Sequence, residues 1–234
     1  VTITDTDPEA APARDEPRWV RPLVVIGAVV ALLLLGGAGG LLLGMRDSPA
    51  ATSTPATDSV DVEFAQDMTV HHQQAVEMAA WARDHTTDQD IRTLAFDIES
   101  TQNTQIGRMQ GWLALWNASP FPVGRPYMTW MQGEGHSMGA MTGAAGANRM
   151  PGMASTEELA ALRAAQGSTL DVLFLQLMLR HHQGGTDMLS AAADTASVPD
   201  VRNLAAQMLA AQGSESQLMT DMLAQRGAQP LPMN

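Results

Sequence analysis

Apolar residues recur along this chain in two rhythms. From Leu23 to Met45 they run without any charge, "LVVIGAVVALLLLGGAGGLLLGM". From about residue 59 onward they fall at helical spacing. Ile91, Leu94, Ala95, Ile98, Gln102, Ile106, Met109 and Leu113 form one stripe in which Gln102 is the polar interruption. The spacing predicts a first helix over about 59–85 and a second over about 89–117. The break between them, "HTTDQD", offers Thr and Asp for a turn and an N-cap. A similar pattern returns near the C-terminus, where "TASVPD" supplies the break and Pro199 suits a first helical turn. Ser155-Thr156-Glu157-Glu158 carries a capping-box pattern that predicts a short helix just before it.

The return is an internal duplication at a constant offset of 110 residues. Asp61 matches Asp171, Phe64 matches Phe174, Gln66 matches Gln176 and Met68 matches Met178. His71-His72-Gln73 matches His181-His182-Gln183, and Met78 matches Met188. The register continues ungapped through Gln102 and Gln212 to Leu113 and Leu223. Two hairpins with short internal loops predict an all-α fold: four antiparallel helices around a pseudo-twofold axis. The expected organisation is a disordered tail (1–22), an apolar span (23–45), a linker (46–58), the first hairpin (59–117), a Met- and Gly-rich loop (118–154), a short helix with the second hairpin (155–227), and a tail (228–234).

The apolar span would reach roughly 34 Å as a helix, enough to cross a hydrocarbon core of about 30 Å. Arg14, Arg18 and Arg21 precede it, while Arg46 is the last basic residue before Arg83. That bias predicts one transmembrane helix with the N-terminus cytoplasmic and the bulk of the chain outside the cell membrane. A cleaved signal peptide is the competing reading, but the apolar run is long for one. Formal net charge is -12 and there is no Lys, a balance that repels nucleic acid and attracts cations. The absence of Cys excludes disulfides, zinc–thiolate sites and cysteine nucleophiles.

Four of the six histidines sit in the two duplicated pairs. Met68, His71 and Met78 share one helical face, as do Met178, His181 and Met188, while His72 and His182 are turned by about 100°. One imidazole of each pair is therefore expected to face inward and the other a neighbouring helix, with Gln102 and Gln212 as hydrogen-bond partners of the inward ring. Two readings of the pairs remain open: buried polar links that fix helix register, or metal ligands. As ligands, thioether and imidazole together suit Cu(I), and histidine also accepts Cu(II). The loop adds Met128, Met131, His136, Met138, Met141, Met150 and Met153 as a secondary soft-ligand set, or else is simply a low-complexity linker. Neither histidine pair has the Glu three residues earlier that a di-iron bundle uses, and phosphate loops, nucleophile elbows and zinc-protease motifs are absent. The chain is expected not to be an enzyme.

"DVEFAQDMTVHHQQAVEMA" and "DVLFLQLMLRHHQGGTDML", each followed by a Gln-bearing helix, resemble the bacterial domain-of-unknown-function family 305 over about residues 58–226. The resemblance implies a ferritin-like four-helix bundle, usually exported, with some members linked to copper binding and tolerance. Asp61, Met68, His71, His72, Met78 and their counterparts Asp171, Met178, His181, His182, Met188 carry the family's pattern. Gly184-Gly185 and Gln102-x2-Gln105 depart from it: an Ala is expected at the first, and the family often has Glu in the second. The expected function is a membrane-anchored extracytoplasmic copper-binding protein that buffers, tolerates or delivers the metal. Its rival is a non-catalytic accessory subunit docking on a membrane complex, such as a respiratory one, with structural histidines. A ferritin-like metal oxidase is a third reading.

Overall fold

The computed structural model describes residues 54–131 and 148–234, and among them all regular structure is helical. The predicted membrane span at 23–45 lies outside the described residues, among which no helix is long and apolar enough to cross a membrane. Helix α1 spans Val60–His85 and α2 spans Gln89–Leu115; a short α3 covers Thr156–Ala164, α4 Gly167–Thr195 and α5 Pro199–Gln225.

Each start has a local cause. Ser59 caps α1 by accepting from the Val62 N–H at 3.3 Å, and Asp88 caps α2 through the N–H groups of Asp90 and Ile91. Ser155 and Glu158 close a reciprocal capping box on α3, and Pro199 opens α5. The C-terminal ends are duplicated as well. Asn117 (φ 53°) and Gly227 (φ 65°) turn the chain left-handed. In each, the next N–H bonds back five residues, Ala118 to Leu113 (2.9 Å) and Ala228 to Leu223 (3.0 Å). This reversal is why α2 stops at Leu115 and not at 117.

The helices pair as α1 with α2 and α4 with α5, and the two hairpins meet where α1 packs on α4. Buried apolar side chains gather into two clusters. One holds Phe64, Met68, Met109, Leu113, Met188, Val201, Leu204 and Met208. The other holds the residues 110 positions away: Phe174, Met178, Met219, Leu223, Met78, Ile91, Leu94 and Ile98. Each cluster draws the start of one repeat and the end of the other, so α1 and α4 run antiparallel and the pseudo-twofold exchanges the clusters. Neither hairpin completes a core alone.

Carboxylates fasten this exchange at both ends. Asp61, fully buried on α1, accepts the N–H groups of Ser197 (3.1 Å) and Val198 (2.8 Å) in the turn before α5. Asp171 accepts the Thr86 hydroxyl (2.5 Å) in the corresponding turn before α2. The pseudo-symmetry reaches past the helices. Gln66 donates to the Ser119 carbonyl (2.9 Å) and Gln176 to that of Gln229 (2.6 Å), again 110 residues apart.

The described ends of the Met-rich loop are anchored against α1. Buried Asp67 accepts from Arg125, from the Met128 N–H (2.8 Å) and from the Trp130 indole (3.0 Å). Glu63 takes the Thr129 hydroxyl at 2.7 Å. Burial raises the Asp67 carboxyl above its ordinary value, against the lowering pull of Met128, Arg125 and Trp130.

Candidate metal centre

His71 and His72 lie at the middle of α1, His181 and His182 at the middle of α4, and all four rings are buried. Antiparallel packing brings the pairs together between the two apolar clusters. The His71 and His181 rings lie 3.8 Å apart between centroids, tilted by 34°. Four imidazoles therefore form a polar layer at the crossing of the hairpins, with Met68 and Met188 in the apolar cluster on one side and Met78 and Met178 in that on the other.

Every imidazole in the layer meets an oxygen through Nε2. His181 Nε2 meets the His71 carbonyl at 3.0 Å, and His71 Nε2 meets the Pro151 carbonyl at 3.4 Å. His72 Nε2 meets Gln105 Oε1 at 2.8 Å, and His182 Nε2 meets Glu215 Oε2 at 2.6 Å. Carbonyl and carboxylate oxygens only accept, so Nε2 carries the proton in all four rings. In a neutral ring this leaves Nδ1 with a lone pair, and all four Nδ1 atoms are buried without a partner. Burial pushes His71 down to about 3, helped by neighbouring His72, and pushes His72 down to about 4. Burial, then the His71 ring, holds His181 well below the usual histidine value. Those three rings are neutral at pH 7.

Imidazole with one nitrogen donating to an oxygen and the other free is the arrangement that orients histidine toward a metal. The donor set fits a soft ion of low coordination number. Among the described residues no three imidazole or carboxylate groups converge as a cation site, so a hard ion needing a full oxygen or nitrogen shell has no cage here.

The predicted partners Gln102 and Gln212 do not bond the rings. Both are buried; neither side-chain atom of Gln102 has a partner, nor does Gln212 Oε1. The residues that hold His72 and His182 lie one turn further on, at Gln105 and Glu215, because these rings reach sideways to their own hairpin's second helix. Their common offset of 110 was the available signal.

The glycine pair that departs from the family pattern also has a cause. An added Cβ at Gly184 would overlap the Pro151 carbonyl, and one at Gly152 (φ 77°) would overlap that of Arg180. Segment 150–154 thus lies directly on α4. Gln74 fixes it from α1, donating to the Ala154 carbonyl (3.0 Å) and accepting its N–H (2.7 Å). A Cβ at Gly185 would stand 3.2 Å from His71 Cε1 and 3.5 Å from Gln212 Oε1, so this glycine makes room for the ring.

Of the secondary set, Met128, Met131 and Met150 are buried in the first apolar cluster and Met153 packs against it. They serve there as core, apart from the imidazole layer. His136, Met138 and Met141 lie outside the described residues.

Residues 61–223 match the family described as Domain of unknown function (DUF305). A DUF305 protein of Streptomyces coelicolor has a crystal structure that is 43% identical, covering 76% of this chain and 99% of that one, with a TM-score of 0.67. A DUF305 fragment from Deinococcus radiodurans is 31% identical over 76% of this chain and 99% of its own, with a TM-score of 0.57. CopM, solved in a Cu(II)-bound form, is 27% identical over 70% and 96% of the two chains, with a TM-score of 0.53. No curated protein sequence matches the chain. The duplicated histidine helices and the family match across both hairpins place this chain in the DUF305 family.

Proposed function

We propose that the protein binds copper through its buried histidine layer, to buffer the metal or deliver it, without turning over a substrate. One observation carries this reading: four imidazoles each donate Nε2–H to an oxygen and keep a buried, unpartnered Nδ1. The similarity to CopM in its Cu(II)-bound form supports it. His71, His72, His181 and His182 would hold the metal, with Met68, Met78, Met178 and Met188 as flanking thioethers; Cu(I) is the favoured ion and Cu(II) the second. The bundle is read as ferritin-like, held outside the cell membrane by residues 23–45, and Met128 to Met153 with His136 as a looser secondary set.

A second reading has its own support, because the same Nε2 bonds tie α1 to α4 and each hairpin's helices together. On that reading the layer sets helix register in an accessory subunit of a membrane complex. Titration of the detergent-purified chain with Cu(I) and Cu(II) beside its His71/His72/His181/His182→Gln variant separates them. The copper reading expects the variant to lose at least one copper equivalent and the metal-induced rise in melting temperature. Unchanged binding with a lowered melting temperature would favour the accessory-subunit reading. Oxygen uptake on adding Fe(II) or Cu(I) would instead reveal an oxidase.

A further inference from the structure

The two halves of the histidine layer occupy corresponding positions in the repeats but differ in charge. His72 donates to the neutral amide of Gln105, whereas His182, 110 residues on, donates to the carboxylate of Glu215. Among the described residues no carboxylate bonds His71, His72 or His181, and no arginine pairs with Glu215. The His182 ring is sealed from solvent while the Glu215 side chain is 22% exposed, so the anionic end of this half lies at the rim.

We infer that the halves discriminate copper by charge: the His182–Glu215 half takes Cu(II), and the His72–Gln105 half takes Cu(I). This assignment rests on the copper reading of the layer. A dication buried among neutral donors keeps its whole charge uncompensated, and one adjacent carboxylate removes part of that penalty. Glu215 acts through His182, as a positioning residue: it holds the ring's proton at Nε2 and raises the donor strength of Nδ1. Gln105 fixes the same tautomer without adding charge. Its half therefore offers only neutral imidazole and nearby thioether, the set that a soft monocation prefers.

The assignment is tested on the full chain by charge exchange. Cu(II) and Cu(I) affinities are measured for wild type, Glu215→Gln, Gln105→Glu and the double exchange, with the Cu(II) signal followed by electron paramagnetic resonance. Glu215→Gln is expected to lower the ratio of Cu(II) to Cu(I) affinity at least tenfold. Gln105→Glu should add a second nitrogen-ligated Cu(II) signal, a gain that a merely structural carboxylate cannot produce. The double exchange should restore one. An unchanged ratio in Glu215→Gln, or no added signal in Gln105→Glu, overturns the assignment while leaving histidine-dependent binding standing. Copper binding that survives replacement of all four histidines overturns the assignment together with the reading beneath it.

Discussion

Single residues in the layer carry measurable acid lability. The reference histidine value is about 6.5, and the folded values of His71 and His72 are about 3 and about 4. Between those limits the unfolded chain binds protons that the folded chain refuses. The stabilisation is therefore present above about pH 6.5 and is lost as pH falls toward 4, by up to ~1.4 kcal/mol per pH unit for each ring. Urea midpoints of the copper-free chain should drop over that range, and His71→Gln with His72→Gln should flatten the drop. A midpoint independent of pH between 7 and 4.5 would contradict the neutral, buried rings. The two glycines of α4 make a second residue-level contrast. Gly184→Ala meets backbone at Pro151 and should cost roughly 1–3 kcal/mol in denaturant titration. Gly185→Ala meets only movable side chains, and the gain of about 1 kcal/mol in helix propensity should offset most of its cost.

Helices are joined across the pseudo-twofold by buried carboxylates, so the test there is of elements. Asp61→Ala leaves the Ser197 and Val198 N–H groups without acceptors and should lose about 1–3 kcal/mol. Asp171→Ala strips one hydroxyl of its acceptor, and a hydroxyl can rotate to another, so the smaller loss is expected there. Equal melting temperatures for both variants would show that the turns hold without these bonds. At the helix ends, Gly227→Ala should cost about 1 kcal/mol because φ is positive, whereas Asn117→Gly should be neutral or stabilising. These caps, like Ser59, Asp88 and the Ser155–Glu158 box, were legible in the sequence or consistent with it, since capping needs only neighbours a few residues away. The cross-hairpin role of Asp61 was not legible. Its partners stand more than a hundred residues off.

Across the whole molecule the layer is a polar seam between two apolar clusters. Without a ligand its unpartnered amides should cost stability. Replacing Gln102 and Gln212 together by Met is expected to raise the melting temperature of the copper-free chain, because each buried amide removed relieves about 1–3 kcal/mol. A lowered melting temperature would mean that those amides are satisfied within the fold.

The duplication by itself determined a great deal here: two hairpins, their helix limits to within a residue or two, and the pairing of every core position with one 110 residues away. Helical periodicity and capping are local, and a repeat doubles the evidence for each. The inward direction of His71 and His181 was also legible, from their shared face with Met68 and Met178. Only the tertiary structure decided what those rings meet. The crossing of α1 on α4 set ring against ring. Sideways reach chose Gln105 and Glu215 over the predicted Gln102 and Gln212, and the contact of segment 150–154 with Gly184 gave His71 a carbonyl. Met128, Met131 and Met150 were drawn into the core for the same reason: once Asp67 and Arg125 pin the loop, burial of apolar surface outweighs its local freedom. Periodicity reports which face a side chain occupies; the oxygen at hydrogen-bonding distance from its nitrogen is set by chains packed from far away in sequence.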